Sequence, residues 1–273
     1  MMYFKTATLL ILFLFHGKSL SPALAQDRIE PDLAEMEQPL THYDFNMRNG
    51  MSFRFQMNNF GFAVGGEYRR VLSRYTQGMI EFQVTNIRDE GEQSFQNFWG
   101  FTVIPNKYNR ILSVPVMLGI NHRIFANQLS DDFRFQFQIS GGPSPSLVYP
   151  YFNDRQGYGF RRQGFRAYED QPHYDPFQGW GDGELVLGGA GQLSLGADMG
   201  GDFAKIQSIF IGYYFHYFPD GIQVMEPNRP GHGFNPDPSL TIDDQPAGAI
   251  VPATGKQYFF GSPHITFIFG SMW

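Results

Sequence analysis

Two histidines stand where an imidazole could activate a hydroxyl. His264 is followed at the second position by Thr266, and His216 lies in an alternating run of aromatic and polar residues. An imidazole beside a hydroxyl can accept its proton and leave a nucleophilic oxygen, provided a third group orients the base. No third group is identifiable here, and packing histidines are the plainer reading. Asn235, Asp237, Asp243 and Asp244 could offer oxygen ligands to Ca²⁺. Their spacing matches no EF-hand loop, so solvated loop acids are the plainer reading there. No metal or cofactor is expected. The absence of cysteine excludes a thiolate zinc site and a disulfide framework.

Two further groups carry charge. Arg54, Glu67, Arg69, Glu81, Arg123, Arg134 and Asp198, with Gln83, Gln136, Gln138 and Gln192, occupy alternate positions in apolar segments. Set face to face, they form either a paired plug or the lining of an ion pore. Residues 149–183 interleave Tyr151, Phe152, Tyr158, Phe160, Phe165, Tyr168, Tyr174, Phe177 and Trp180 with Arg155, Arg161, Arg162 and Arg166. Rings beside guanidinium groups suit sugars and phosphates. The alternatives are a packed cap and a recognition surface built around Tyr158, Arg161, Arg162, Arg166 and Trp180, and the two are compatible.

The elements holding these groups repeat with period two. Phe53, Phe55 and Met57 alternate with polar residues. After the turn signal Asn58-Asn59, so do Phe60, Phe62, Val64, Gly66 and Tyr68. The pattern returns around Ile80–Val84, Leu112–Ile120, Phe133–Ile139, Leu185–Leu195 and Ile209–Tyr217, and then at Ile265, Phe267, Phe269 and Trp273. Eight such segments predict an all-β chain. The connections at 72–76, 125–131 and 199–205 are short, and those at 89–110, 149–183 and 219–256 are long. Loop lengths therefore segregate to opposite ends, which an up-and-down barrel does and a sandwich has no reason to do. Pro115 and Pro263 fall inside proposed strands and should mark breaks or strand ends.

The chain has 273 residues, 31 of them Gly, and 17% aromatic against 17% charged residues. Mean hydropathy is −0.29. Beyond the N-terminus no apolar run reaches the ~20 residues of a spanning helix, which excludes a polytopic helical membrane protein. A net charge of −6 argues against nucleic acid as a partner. Lys5, the apolar run 7–15 (ATLLILFLF) and Ala23-Leu24-Ala25 form a secretory signal cleaved after Ala25. Taking away Lys5 and Lys18 leaves 18 basic against 26 acidic residues, a mature charge of −8. Residues 26–49 are acidic and read as a periplasmic leader without a fold of its own, and 50–273 as the barrel.

The terminal stretch, with Trp273 last and Phe269, Phe267 and Ile265 at alternate positions before it, resembles the C-terminal signal of bacterial outer-membrane β-barrel proteins. Ser271 departs from that pattern. From about residue 50 onward, including NFGFAVGGEYRR (59–70) and NKYNRILSVPVMLG (106–119), the chain resembles small OmpA/OmpX-type barrels in a Bacteroidota-like style. The resemblance implies an eight-stranded antiparallel up-and-down transmembrane barrel in the bacterial outer membrane. It also implies outer-membrane lipid and lipopolysaccharide as surroundings, and the barrel assembly machinery as the reader of the last strand. The role expected is structural or surface-interacting rather than enzymatic. A lipid-modifying hydrolase at His264 or His216 and a narrow, porin-like channel stay open as alternatives. In a barrel of eight strands the interior is just wide enough for side chains to fill, which favours the plug.

Overall fold

The structure, a computed structural model, describes residues 39–96, 100–161, 172–231 and 250–273. Eight antiparallel strands form its wall: β1 (Asn49–Asn58), β2 (Gly61–Val71), β3 (Thr76–Ile87), β4 in two pieces (Asn109–Ser113 and Val116–Arg123), β5 (Phe133–Pro150), β6 (Glu184–Met199), β7 (Lys205–Ile222) and β8 (Gln257–Met272). Each pairs with its neighbours in sequence. β1 also pairs with β8, from Gly50 opposite Met272 to Asn58 opposite His264, and so closes the sheet. Closure removes the free edge that an open sheet would expose. No helix among the described residues is long and apolar enough to cross a membrane.

Period two now acquires direction. Phe62, Leu118, Ile211 and Leu185 point outward with 62%, 64%, 63% and 79% exposure. Arg54, Glu67, Glu81, Arg134, Gln138, Gln192 and Asp198 point inward and are buried. The expected eight strands and both faces are present.

The prolines act as their chemistry requires. Val114 and Pro115 interrupt β4, because proline has no N–H to donate to a ladder. Register is kept across the break: Val116 faces Phe82 and Ser113 faces Thr85. Pro263 sits one residue beyond His264, the last β8 residue that faces β1. Close strand approach needs glycine at Gly65 and Gly212, where a Cβ would lie 2.0 Å from the Phe82 carbonyl and 2.2 Å from the Leu193 carbonyl.

Three local expectations are corrected. Phe60, assigned to the outward face of β2, lies in the β1–β2 turn and folds inward, where it is buried. Pro219 and Gly221, assigned to a loop, belong to an irregular end of β7 that still pairs with β8 through Ile222 and Gln257. The leader is not structureless throughout. Residues 39–48 form a turn at the short-turn end, tied by Arg123 Nη1 to the Leu40 carbonyl (2.7 Å), by the Leu40 N–H to Asp131 (2.9 Å), and by the Arg48 N–H to the Trp273 carbonyl (2.8 Å).

The interior is layered. An apolar group of Val71, Ile206, Phe210, Ile268 and Met272, with Met47 packed on it, closes the short-turn end. A larger one, including Phe60, Ile111, Tyr214, Phe218, Val224 and Phe260, closes the long-loop end. Polar and charged side chains fill the space between.

Candidate functional site

The lumen charges meet in two groups. Register places Glu67 directly opposite Glu81 on adjacent strands. Like charges so placed repel. Arg54, inward on β1, pairs with both: its Nη1 lies 2.5 Å from Glu67 and in contact with Glu81. Arg69 Nε also pairs with Glu67, and Ser140 donates to Glu81. Nearer the short turns, Arg134 binds Asp198 (Nη2 to Oδ2, 2.8 Å) and donates to the carbonyls of Asp131 and Gly200 (2.9 and 2.7 Å). Arg123 pairs with Asp131 in the β4–β5 turn (2.9 Å) rather than with another lumen charge. Of the seven residues marked by sequence, Arg54, Glu67, Arg69 and Glu81 form one network and Arg134 and Asp198 the other.

Beside the second network sits a residue sequence reasoning passed over. His42, in the 39–48 turn, is buried, with Nδ1 3.3 Å from Gln77 and its ring edge-on to Phe203. Burial depresses its pKa to about 4, with Arg134, Arg69 and Arg123 adding to the depression and Asp198 opposing it. A usable signal was the pair Thr41 and Asp44, whose side chains close a local turn: the Thr41 N–H and Oγ1 donate to Asp44 Oδ2 at 2.9 and 2.7 Å.

Both catalytic histidine candidates face the lumen. His216 is 0% and His264 2% exposed. His216 Nδ1 lies 2.9 Å from Ser144 Oγ, which contacts Ser113. His264 contacts Ser194 through Nε2 (3.1 Å) and Thr266 through Nδ1 (2.9 Å). Hydroxyls are therefore present, but among the described residues no carboxylate bonds either ring, and neither ring opens toward the outer face. The Ca²⁺ candidates Asn235, Asp237, Asp243 and Asp244 lie outside the described residues, and no metal-holding group occurs among the described ones.

The outward terminal residues Ile265, Phe269 and Trp273 are exposed and Phe267 half-buried. Main-chain bonds tie Trp273 to Asn49 in both directions (2.8 and 3.0 Å).

At the other end the long loops are stitched together. Tyr108 and Asn109 N–H groups donate to the Val224 carbonyl, Tyr151 to Tyr108, and His173 to Tyr151 (2.8–3.1 Å). Lys107 pairs with Glu92 at 2.6 Å in a buried site that lowers the lysine's pKa. Of the ring-and-arginine surface, Tyr158 stacks with Phe160, and the Arg161 N–H donates to Glu226. Trp180 packs edge-on against Tyr149 and Phe177. Arg162 and Arg166 lie outside the described residues. Between these loops lies a cleft of about 370 Å³ lined by Tyr108, Asn109, Phe152, Asn153, Asp154, His173, Gln178 and Asp182, among others.

No protein-family model matches the chain, and no curated protein does. Among solved structures it is similar to Neisserial surface protein A, at 6% identity and a TM-score of 0.33, over 83% of this chain and 96% of that one. It is also similar to Ail, the attachment invasion locus protein of Yersinia pestis, solved with the heparin analogue sucrose octasulfate. That match has 8% identity and a TM-score of 0.31 over 83% and 96% of the two chains.

Proposed function

We propose that this chain is an integral protein of the bacterial outer membrane with a structural or surface-interaction role, exported by a signal cleaved after Ala25 and blocked along its lumen. One observation carries the reading: a closed barrel with exposed apolar side chains on every strand while Arg54, Glu67, Arg69, Glu81, Arg134 and Asp198 point inward. Soluble monomers rarely expose a contiguous apolar patch beyond a few hundred Å². A belt around a whole barrel needs lipid to cover it. The terminal strand, with Ile265, Phe267, Phe269 and Trp273, is the segment offered to the barrel assembly machinery. The loop end would face lipopolysaccharide and the cell exterior.

The layered interior supports a plug over a channel. Two apolar groups bracket the Arg54–Glu67–Glu81–Arg69 network, so an ion crossing the lumen meets packed side chains at each level. Purified and refolded in detergent, the protein should migrate faster on a gel before boiling than after, with the strands protected from protease. In a planar bilayer it should show no stable conductance. A heat-insensitive, water-soluble monomer would overturn the membrane reading. A steady open pore would overturn the plug alone.

A further inference from the structure

The cleft among the long loops has its own chemistry, distinct from that of the arginine-bearing segment beside it. Among the described residues no lysine or arginine lines it, and His173 is the one basic side chain in its wall. Its carboxylates, Asp154 and Asp182, disfavour phosphates, sulfates and acidic sugars. Asp154 is already engaged: it accepts the N–H groups of Tyr158 (3.0 Å) and Gly159 (2.8 Å) and the Tyr108 hydroxyl (3.3 Å). It holds the Tyr108 ring in place, and the buried Phe152 supports that ring edge-on at 5.7 Å. Asn153, Gln178 and Asp182 line the same cleft as this ring, all exposed.

The walls are fixed in advance. Gly179 turns the chain at φ +89°, a conformation that strains any residue with a Cβ. Arg110 donates to the carbonyls of His173 (2.5 Å) and Asp175 (2.9 Å) and so holds that wall in place. Sites that bind small molecules are commonly preformed clefts of ~300–1,000 Å³ with a few convergent polar groups.

A ring floor flanked by amides and a carboxylate, with no lysine or arginine among the described lining residues, matches one class of ligand. The C–H face of a pyranose covers an aromatic ring, while vicinal hydroxyls donate to carboxylates and exchange bonds with amides. We propose that this cleft binds an uncharged hexose unit of a surface glycan, with Tyr108 as its floor and Asn153, Gln178 and Asp182 as its hydroxyl partners. The inference rests on the surface-interaction reading and names its ligand class.

The test uses the full-length protein in lipid nanodiscs and saturation-transfer NMR. The probes are the methyl glycosides of glucose, galactose and mannose, with inorganic phosphate and ethylammonium as competitors. Binding of at least one glycoside is expected. Asn153→Ala, Gln178→Ala and Asp182→Ala, all at exposed positions, should each weaken it about tenfold or more, and neither competitor should displace it. The inference is overturned if no glycoside binds, if the variants bind like the parent, or if phosphate or ethylammonium competes. Heat-modifiable migration of the same samples separates the two failures. A folded barrel without sugar binding sinks only the cleft, whereas a sample that never forms the barrel sinks the reading beneath it.

Discussion

Arg54→Ala is expected to destabilise the barrel by about 3–5 kcal/mol, the usual consequence of removing one partner from a buried ion pair. Among the described residues, Arg54 is the one group that pairs with both Glu67 and Glu81, and the substitution takes it away. Those carboxylates face each other across the β2–β3 ladder. Arg69 still reaches Glu67, but among the described residues Glu81 keeps only neutral partners: Ser140 and, at 3.4 and 3.3 Å, Gln138 and Gln192. An ionised carboxylate in that position has lost its hydration without a cation in exchange. Urea titration of refolded protein, followed by heat-modifiable migration, measures the effect. A shift of 3–5 kcal/mol corresponds to roughly 10²–10⁴ in the folding equilibrium. The triple variant Arg54→Ala, Glu67→Gln, Glu81→Gln should recover most of the loss, since the unpaired charges go with the arginine. A single variant within about 1 kcal/mol of the parent would mean that water reaches the network. A triple variant no better than the single would mean that lost packing, not lost charge, is responsible.

That network also marks where local pattern stops being informative. Which residues face outward was readable because a closed barrel puts every second residue of a strand on its outer face: Phe133, Ile139, Leu193 and Ile211 all lie exposed there. Which residues fill the lumen was readable only for the polar ones. Phe210 and Phe218 share their parity with Ser208, Tyr214 and His216 on β7, yet they are wholly apolar. Assigning polar side chains inward leaves them without a reason. They face inward because the two ends of a narrow barrel can be closed by packing, a demand set by the whole cross-section and not by neighbours in sequence. Pairing was equally hidden. The charge types at 54, 67 and 81 were visible, but that Arg54 bridges the two glutamates follows from register on two ladders.

The cleft was less legible still. Tyr108, Asn153 and Asp182 come from separate stretches of loop, and no period relates them. The one local signal was Asp154 followed by Gly157 and Gly159, both with positive φ. An aspartate ahead of such glycines closes a turn onto backbone N–H groups. Aromatic and arginine content drew the reading toward Arg161, Arg162 and Arg166. Among the described residues no lysine or arginine lines the cleft, and Arg110 spends its guanidinium on the His173 and Asp175 carbonyls and on the Tyr151 ring (5.0 Å).

Acidification should release the 39–48 turn from the barrel. His42 is neutral where it is docked, since its pKa there is about 4 against 6.5 for the free side chain. Above pH 6.5 both docked and detached states are neutral, and docking has its full strength. As pH falls from 6.5 toward 4, the detached state takes up a proton that the docked state refuses. Docking then weakens by about 1.4 kcal/mol for each pH unit, up to about 3 kcal/mol near pH 4. The docked site refuses the proton because the ring is buried beside Arg134, Arg69 and Arg123, with only Asp198 to compensate. Hydrogen exchange read by mass spectrometry, corrected for intrinsic rates, should show the Asp44, Asn46 and Met47 amides losing protection about 100-fold between pH 7 and pH 4. These amides bond to the Thr41, Tyr43 and His42 carbonyls within the turn. Strand amides should stay protected, because their ladders do not depend on the turn. In His42→Gln, which keeps a polar group for Gln77 but cannot titrate, the dependence should flatten. Parent protection that is constant with pH would remove His42 as the cause. An unchanged loss in His42→Gln would likewise remove His42 as the cause.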